Sequence, residues 1–584
     1  MSFPPTASIK KTILLILPLV IILFTSYCSE VGPGVEKVII NGTVITVDDS
    51  NSIAEAIAIN ADTIFAIGSN VEIALLIGDS TDVIDAEGQF IYPGFIDSHA
   101  HFLGLGKSRM NLDLMDANNW DEVVKMVADA VDKSSPGDWI VGRGWHQDKW
   151  STPPVESFEG YPEHSILSQA SPLNPVVLSH ASGHALIANA QAMELAGVTV
   201  DTQDPEGGRI IRDNAGNPTG VFEENGENLI NSAYEASLER RTPDQQKQDE
   251  IRQLELANEE CLRNGITSFH DAGASFSTID FYKGMIDAGK LKVRLNVMLE
   301  EENSEYKKRI ADYKILGYGN NHLTVRSIKK YIDGALGSRG AWMLEPYDDL
   351  EGHTGLNVTP ISELEETAKI AAEYGFQICT HAIGDKANRE ILNIYEREFK
   401  KHPELTDLRW RVEHAQHLSA SDIPRFAKLG VIAAMQGIHC TSDATFVPKR
   451  IGDFRSEEGA YVWRKLLDSG AVVSNGTDSP VERVNPLACF YASVTRKIKD
   501  GSEFYPNQKM TRLEALKSYT INGAFACFEE KLKGSLEVGK LADITILDTD
   551  LLNCPEEKIN EAIVKQTIVG GQVVYKNRES TLFN

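Results

Sequence analysis

The stretch Pro93-Gly94-Phe95-Ile96-Asp97-Ser98-His99-Ala100-His101 joins a short apolar run to two histidines that lie two residues apart. Side chains at positions i and i+2 of a strand point to the same face of a sheet, so the imidazoles of His99 and His101 can meet one ion. Because a short motif also matches by accident, its structural context has to support it. The stretch predicts the end of a buried strand that carries a divalent-metal site.

Working outward from this stretch, short apolar runs recur, and each is followed by a longer helical pattern. We predict eight strands near Phe90–Asp97, Ile266–His270, Val293–Leu299, Arg326–Asp333, Gln377–His381, Arg409–Glu413, Val431–Met435 and Ala471–Asn475. From the second strand onward their starts lie ~22–51 residues apart, which is compatible with the β/α units of an eight-stranded barrel. Alternating strands and helices predict an α/β protein with a parallel sheet, here a closed (β/α)8 TIM barrel.

The remaining sequence predicts two additions to this barrel. The first two strands are separated by about 170 residues, which requires an inserted subdomain after strand one, at about residues 107–245. Residues 31–92 and 533–584 are rich in short β-type runs with turn signals such as Asn41-Gly42 and Gly570-Gly571. We predict that these two ends form one small β-sandwich, so that residues 93–532 make up the barrel.

Candidate metal ligands also stand at the ends of later predicted strands. Strand five ends in His381, strand six in His414, and strand eight in Asn475-Gly476-Thr477-Asp478. Eight-stranded barrels build their active sites at the C-terminal ends of several strands. His381, His414 and Asp478 are therefore expected to join His99 and His101 around a divalent cation.

Eight segments of the chain then resemble one enzyme family. They are PGFIDSHAHF (93–102), GRGWHQDKW (142–150), GHALIANAQAMELAG (183–197), PEGGRIIRDNAGNPTG (205–220), DGALGSRGAWM (333–343), THAIGD (380–385), VEHAQ (412–416) and GTDSPV (476–481). In this order they resemble the amidohydrolase superfamily, most closely the amidohydrolase-3 branch with the YtcJ-like proteins and N-substituted formamide deformylase. The resemblance implies a metal-dependent hydrolase with the barrel and two-ended β-sandwich predicted above.

The resemblance also implies roles for individual residues. Lys329, four residues before Asp333, would end strand four and bridge two metals as a carboxylated lysine. Asp478 and His414 would act in catalysis, with Asp478 taking a proton from a metal-activated water and passing it to the leaving nitrogen. The cofactor is expected to be one or two divalent ions, with zinc favoured over iron, manganese or nickel. The implied reaction cleaves amide-like or formamide-like C–N bonds other than peptide bonds.

Family-matched positions in the inserted subdomain are candidates for substrate binding, namely Trp145, His146, His184 and Asn189. Packing and hydrogen bonding within the insertion are the alternative role for these residue types, which are of mixed burial in general. Many relatives carry an acidic residue where His146 stands. The insertion is therefore expected to decide which substrate is accepted.

Other functions remain to be separated from hydrolysis. An isomerase or an enzyme of C–C chemistry could use the same metal site, and a catalytically silent binding protein could keep the same fold. The intact ligand set argues against the silent protein. A serine hydrolase would need the motif G-x-S-x-G, which the sequence lacks. A Walker nucleotide site ending in Gly106-Lys107-Ser108 would need a glycine at position 101, where the sequence has His101.

Composition and the N-terminus bear on partners and location. A formal charge of −27 opposes binding to nucleic acid, so the expected partner is a small molecule. Lys10 and Lys11 precede an apolar run that ends near Cys28, which is typical of a signal segment over residues 1–30. We predict export to the bacterial periplasm or cell envelope, with a lipid anchor on Cys28 or an uncleaved signal as alternatives. A homodimer is expected from family habit alone.

Overall fold

The computed structural model describes residues 34–147, 150–181, 185–205, 208–337 and 339–577. The predicted signal segment with Cys28 and the predicted binding residue His184 lie outside these ranges. No helix within them combines the length and the apolar character that crossing a bilayer requires.

Eight parallel strands form the centre of the molecule in the predicted order. Their bounds are Phe95–Ala100, Ile266–Ala274, Arg294–Leu299, Leu323–Tyr331, Gln377–Ala382, Arg411–His414, Ile432–Met435 and Val473–Asn475. We call them barrel strands one to eight. They are buried along nearly their whole length, as expected for a parallel sheet that is covered by helices outside and filled by side chains inside. The predicted α/β barrel is confirmed.

Barrel strand one meets the end of strand eight through the backbone that carries the site. The Asp478 N–H donates to the His99 carbonyl at 2.7 Å, and the His101 N–H donates to the Ser479 carbonyl at 2.8 Å. This close approach requires a glycine at position 476, because a Cβ atom on Gly476 would lie 2.4 Å from the backbone nitrogen of His99. The junction therefore places the first and last candidate ligands side by side.

The sequence-based bounds of strand one need correction. Phe90–Pro93 and Phe95–Ala100 are separate strands, whereas Phe90–Asp97 was predicted to be one. Phe90–Pro93 pairs with Ile544–Leu547 in the small sheet, and only the second strand enters the barrel. Gly94 separates them where the chain passes so near Thr267 that an added Cβ would lie 2.2 Å from its Oγ1. Periodicity does not show this change of sheet, because both strands are apolar.

Two small sheets are built from the ends of the chain. One contains Lys37–Ile40, Ala56–Asn60, Thr63–Gly68 and Asp82–Asp85, and the other contains Thr43–Ile45, Ile53–Ala54, Phe90–Pro93, Ile544–Leu547, Val564–Val569 and Gln572–Lys576. Isoleucines from both sheets, including Ile57, Ile91 and Ile546, share one buried cluster. The predicted β-sandwich made from both termini is thus present.

The insertion after barrel strand one has its own sheet and its own apolar core. Its strands are Leu112–Asp113, Ile140–Trp145, Val176–His180, Ala185–Ala188, Gly208–Arg212 and Pro218–Glu224, and its longer helices are Trp120–Val131 and Asn228–Glu239. Trp120, Trp145 and Leu178 are among the residues of its core.

Helices cover the outside of the barrel between successive strands. They include Phe102–Met110, Pro243–Arg263, Phe276–Asp287, Asn303–Arg309, Ile361–Tyr374, Asp385–Lys401, Ile423–Leu429, Gly437–Asp443, Val447–Gly459, Trp463–Asp468, Pro486–Thr495, Arg512–Ser518 and Ile521–Ala526. Asp385–Lys401 shows the usual pattern, with Ile391, Leu392 and Tyr395 buried against the barrel.

Candidate active site

The structure brings the predicted metal ligands together at the C-terminal rim of the barrel. His99, His101, Lys329, His381, His414 and Asp478 all line one cavity. His99, His414 and Asp478 each present one possible ligand atom, and these atoms lie within 4.8 Å of one another. The Nε2 atom of His101 lies 3.4 Å from Asp478 Oδ1. His99, His414 and Asp478 form a candidate divalent-metal site. The individual roles of the six cavity residues stay predictions.

His99 is held from behind by a buried ion pair. Its Nδ1 donates to Glu413, and Glu413 accepts hydrogen bonds from Arg411 Nε at 2.7 Å and Nη2 at 2.8 Å. Glu413 and Arg411 have no exposed side-chain surface. Because Nδ1 carries the proton, the Nε2 lone pair of His99 is left for a cation. A histidine fixed by a carboxylate on its other nitrogen is typical of metal sites.

His414 is oriented in a similar way from the neighbouring strand. Its Nδ1 donates to Gln436 Oε1 at 2.8 Å. Burial, followed by the electrostatic interaction with nearby His99, lowers the pKa of His414 to about 3, so its imidazole is neutral and able to bind a cation at pH 7. His414 has a φ of +73° and Asp478 a φ of +55°, a region that residues other than glycine seldom adopt. Such strain is concentrated at functional positions.

Asp478 is the carboxylate at the centre of the histidines. Its Oδ1 lies 3.6 Å from His99 Nε2. Burial acts to raise the pKa of Asp478, but the hydrogen bond from His101 and the electrostatic interactions with His414 and His99 hold it well below the usual value. The preceding residue, Thr477, is fixed by Asp97, which accepts from its N–H at 3.0 Å and from its hydroxyl at 2.6 Å. Asp478 is thus an ionised carboxylate that follows a residue held in place by hydrogen bonds to Asp97.

Lys329 and His381 complete the rim. The Nζ atom of Lys329 lies 3.4 Å from His99 Nε2, and burial lowers the pKa of Lys329. The His381 and His414 ring centres are 4.5 Å apart. Asp333, which follows Lys329 by four residues, lies with its Oδ1 3.6 Å from His381 Nε2 and accepts backbone N–H groups of the next loop.

His439, which follows barrel strand seven, lines the cavity without having been predicted as a site residue. Its Nε2 lies 3.8 Å from Asp478 Oδ2, and its Nδ1 accepts from Gln416 Nε2 at 3.1 Å. Among the described residues, that Nε2 atom has no hydrogen-bond partner. A histidine just past a barrel strand was the available signal, since that rim builds the site. Glu413 and Arg411 were detectable as two charges on one face of a buried strand.

The structure separates the predicted substrate-binding residues. The cavity has a volume of about 770 Å³, and His146 contributes to its lining. Trp145 instead lies in the core of the insertion and donates to the Leu178 carbonyl at 2.8 Å. Asn189 is also buried inside the insertion, where its amide oxygen accepts from Val176 N–H and its NH₂ group donates to the Asn174 carbonyl. Trp145 and Asn189 thus have the structural role that was the alternative.

The donor set fits a divalent metal. It combines neutral imidazoles with a carboxylate, and the second nitrogens of His99 and His414 are already hydrogen-bonded. Nitrogen and oxygen ligands of this kind suit zinc and its neighbours in the first transition row. His99, His414 and Asp478 would hold the ion, with His101, Lys329 and His381 beside them.

Comparison with known proteins identifies the class. The sequence profile of the amidohydrolase family matches residues 82–575, which is most of the chain. The chain belongs to the amidohydrolase family.

Individual relatives match the chain over most of its length. The chain is 33% identical to Protein LONG AFTER FAR-RED 3 of Arabidopsis thaliana, over 92% of this chain and 91% of that protein. It is 28% identical to N-substituted formamide deformylase of Arthrobacter pascens, over 93% of this chain and 99% of that protein. An uncharacterized metal-dependent hydrolase from Pyrococcus horikoshii has a similar structure, with a TM-score of 0.71 and 26% identity, covering 89% of this chain and 99% of that one.

Proposed function

We propose that this protein is a metal-dependent hydrolase of C–N bonds other than peptide bonds, in amides or formamides. The observation that carries the proposal is the convergence of His99, His414 and Asp478, with ligand atoms within 4.8 Å of one another in one cavity. The name of the Arthrobacter relative, a deformylase of N-substituted formamides, supports the bond type. Zinc is the proposed ion, because it suits imidazole and carboxylate ligands.

The residues of the chain divide the work of the reaction. A divalent cation bound here supplies Lewis acidity, which polarises a carbonyl group and lowers the pKa of water toward ~7. Asp478 accepts a proton from the attacking water as the new C–O bond forms. Asp478 then gives that proton to the leaving nitrogen as the C–N bond breaks, so the products are an amine and a carboxylic acid. One carboxylate therefore acts first as base and then as acid.

Lys329 is proposed to be carboxylated. Its neutral amine would attack CO₂ and lose a proton, giving an anionic carbamate with two oxygen donors. A free ammonium 3.4 Å from His99 Nε2 would repel the cation, whereas the carbamate would attract it. The lowered pKa of this fully buried lysine favours the neutral amine that the reaction needs.

Elemental analysis together with turnover tests the proposal. The purified protein is assayed with N-acyl amines, formamides and cyclic amides before and after removal of metal by a chelator. We expect metal-dependent release of amine and loss of metal in His99→Ala. Asp478→Ala should keep most of the metal without turnover, because Asp478 is proposed to bind the ion only weakly. Full activity of Asp478→Ala would contradict its role as proton carrier, and metal without hydrolysis would favour an isomerase.

We also propose that the protein is exported to the bacterial cell envelope and anchored by lipid on Cys28. The basic start, the apolar run and the cysteine of residues 1–30 support this. Expression in a bacterial host with labelled palmitate tests it. We expect a labelled membrane-bound protein and an unlabelled Cys28→Ser variant; an unlabelled wild-type protein that keeps residues 1–28 would favour the uncleaved signal. A homodimer is proposed from family habit and is tested by light scattering.

A further inference from the structure

Arg143 is a cationic side chain of the cavity that forms no ion pair with any carboxylate the structure describes. It lies on the insertion strand Ile140–Trp145 and lines the same cavity as Asp478. Its side chain is partly buried, yet within the described ranges no carboxylate is within ion-pair distance of the guanidinium and no hydrogen bond to it is formed. Taking such a group out of water costs free energy unless an anion replaces the water.

The backbone around Arg143 is tightly fixed. Its carbonyl accepts from the Leu114 N–H at 2.8 Å, and the residue is in register with Asp113 on one side and Ser179 on the other. The next residue, Gly144, has a φ of +109° at an irregularity of the strand. A Cβ atom there would lie 2.5 Å from Met115 Cγ. The chain therefore presents Arg143 to the cavity from a rigid strand.

Two other charged residues of the lining are already paired. Arg339 donates to both carboxylate oxygens of Asp349, at 3.0 and 2.8 Å. Glu223 accepts from Arg209 at 2.9 Å. Burial lowers the pKa of Arg143, and the charges of Asp478 and Glu227 counteract this without forming an ion pair with the guanidinium. Because Asp478 belongs to the candidate metal site and Glu227 is not among the residues that line the cavity, a carboxylate that pairs with Arg143 inside the cavity would come from a bound molecule.

We propose that Arg143 binds a carboxylate of the substrate, so that the preferred substrates are amides or formamides that carry a carboxylate, as N-acylated amino acids do. This inference rests on the proposed hydrolysis of C–N bonds. A guanidinium offers parallel N–H donors whose spacing matches a carboxylate. A cavity of about 770 Å³ holds a molecule of this size, with its reacting carbonyl at the metal site and its carboxylate at the insertion.

Glu482 is a carboxylate of the cavity lining whose charge would repel an anionic substrate. It is partly exposed and follows Val481, whose exposure is 48%. Water and salt screen an exposed carboxylate more strongly than they screen a partly buried pair. Glu482 is therefore expected to weaken the preference for an anionic substrate without reversing it.

A matched pair of substrates tests the proposal. N-formylphenylalanine carries a carboxylate, and N-formylphenylalaninamide replaces it with a neutral carboxamide of the same shape. We expect the metal-loaded wild-type protein to prefer the carboxylate by about 10- to 100-fold in kcat/KM, as for a hydrogen bond to a charged group. Arg143→Gln should abolish the preference, mainly through KM, and Arg143→Lys should retain part of it.

Arg339→Gln is the matched control, because it removes an arginine of the same cavity that already has a partner. It should leave the preference unchanged. Binding of both compounds to Asp478→Ala, measured by calorimetry, gives a second readout that needs no turnover. A binding preference that Arg143→Gln removes supports the carboxylate site, whether or not the protein hydrolyses the compounds. Absence of hydrolysis would contradict only the proposed function. Equal binding and turnover of the two compounds by the wild type, or a preference that survives in Arg143→Gln, overturns the proposal.

Discussion

The Glu413→Gln substitution probes how much the candidate metal site depends on the ion pair behind it. Glu413 is fully buried and uses one carboxylate to accept from both His99 and Arg411. Glutamine has nearly the same shape but one acceptor oxygen and an NH₂ group. That NH₂ group must face an N–H of either His99 or Arg411, so one of these two donors loses its acceptor.

The Glu413→Gln substitution should have two effects, one on metal affinity and one on stability. Loss of a carboxylate that orients a ligating histidine lowers metal affinity by about 10- to 100-fold. Removal of one partner of a buried ion pair destabilises a protein by about 3–5 kcal/mol, because the other charge is left uncompensated. Here that remaining charge is Arg411, which also donates to the Ser98 carbonyl at 2.7 Å.

The Asp543→Asn variant separates the two effects. Asp543 accepts from Arg294 at 2.7 and 3.0 Å in an equally buried pair that joins barrel strand three to the C-terminal sheet. Urea unfolding of the metal-free proteins should show both variants destabilised. Competition with a chromophoric chelator should show weaker zinc binding in Glu413→Gln alone. Wild-type zinc affinity in Glu413→Gln would refute the assignment of His99 as a ligand held by Glu413.

Three further predictions concern the same cavity. Lys329→Ala should lose activity and regain part of it when a short carboxylic acid is added, since the acid replaces the carbamate; no rescue at any concentration would count against carboxylation. His439→Ala, which removes an Nε2 atom 3.8 Å from Asp478 Oδ2, should lower kcat by about tenfold or more at unchanged metal content by elemental analysis, and an unchanged kcat would exclude a role beside Asp478. Burial lowers the pKa of His414 and of His417 to about 3. Below pH ~6.5 these two histidines bind protons in the unfolded chain, whereas in the folded chain they bind protons only near pH 3. The urea midpoint of the metal-free protein should therefore fall as the pH is lowered through this range, and it should fall less in His417→Gln.

Parts of the fold and site could be predicted because they leave local signals. The barrel strands are continuous apolar runs whose spacing from the second strand onward indicates β/α units, and all eight were located, although strand one was predicted to begin too early. His99, His381, His414 and Asp478 stand at strand ends, and the barrel carries all such ends to one rim. Lys329 lacked such a signal, since a lysine reads as a solvated residue, and only the family resemblance pointed to it.

Other features depended on contacts between distant segments. The change of sheet at Gly94 follows from the approach of Thr267, which the apolar pattern of Phe90–Asp97 does not record. Trp145 and Asn189 share motifs with His146, yet they serve the core of the insertion while His146 lines the cavity. A motif shows which residues occur together, but burial decides which of them a substrate can reach.

The sequence by itself determined the α/β barrel and the family and predicted imidazole and carboxylate ligands, because strand periodicity and the chemistry of these groups are properties of single residues and short runs. Only the tertiary structure decided that Glu413 fixes His99, that His439 lies beside Asp478 and that Arg143 faces the cavity without an ion pair among the described residues. Those relations depend on distances between side chains far apart in the chain. Register between strands and the packing of the insertion set these distances, and neither is recorded in a local pattern.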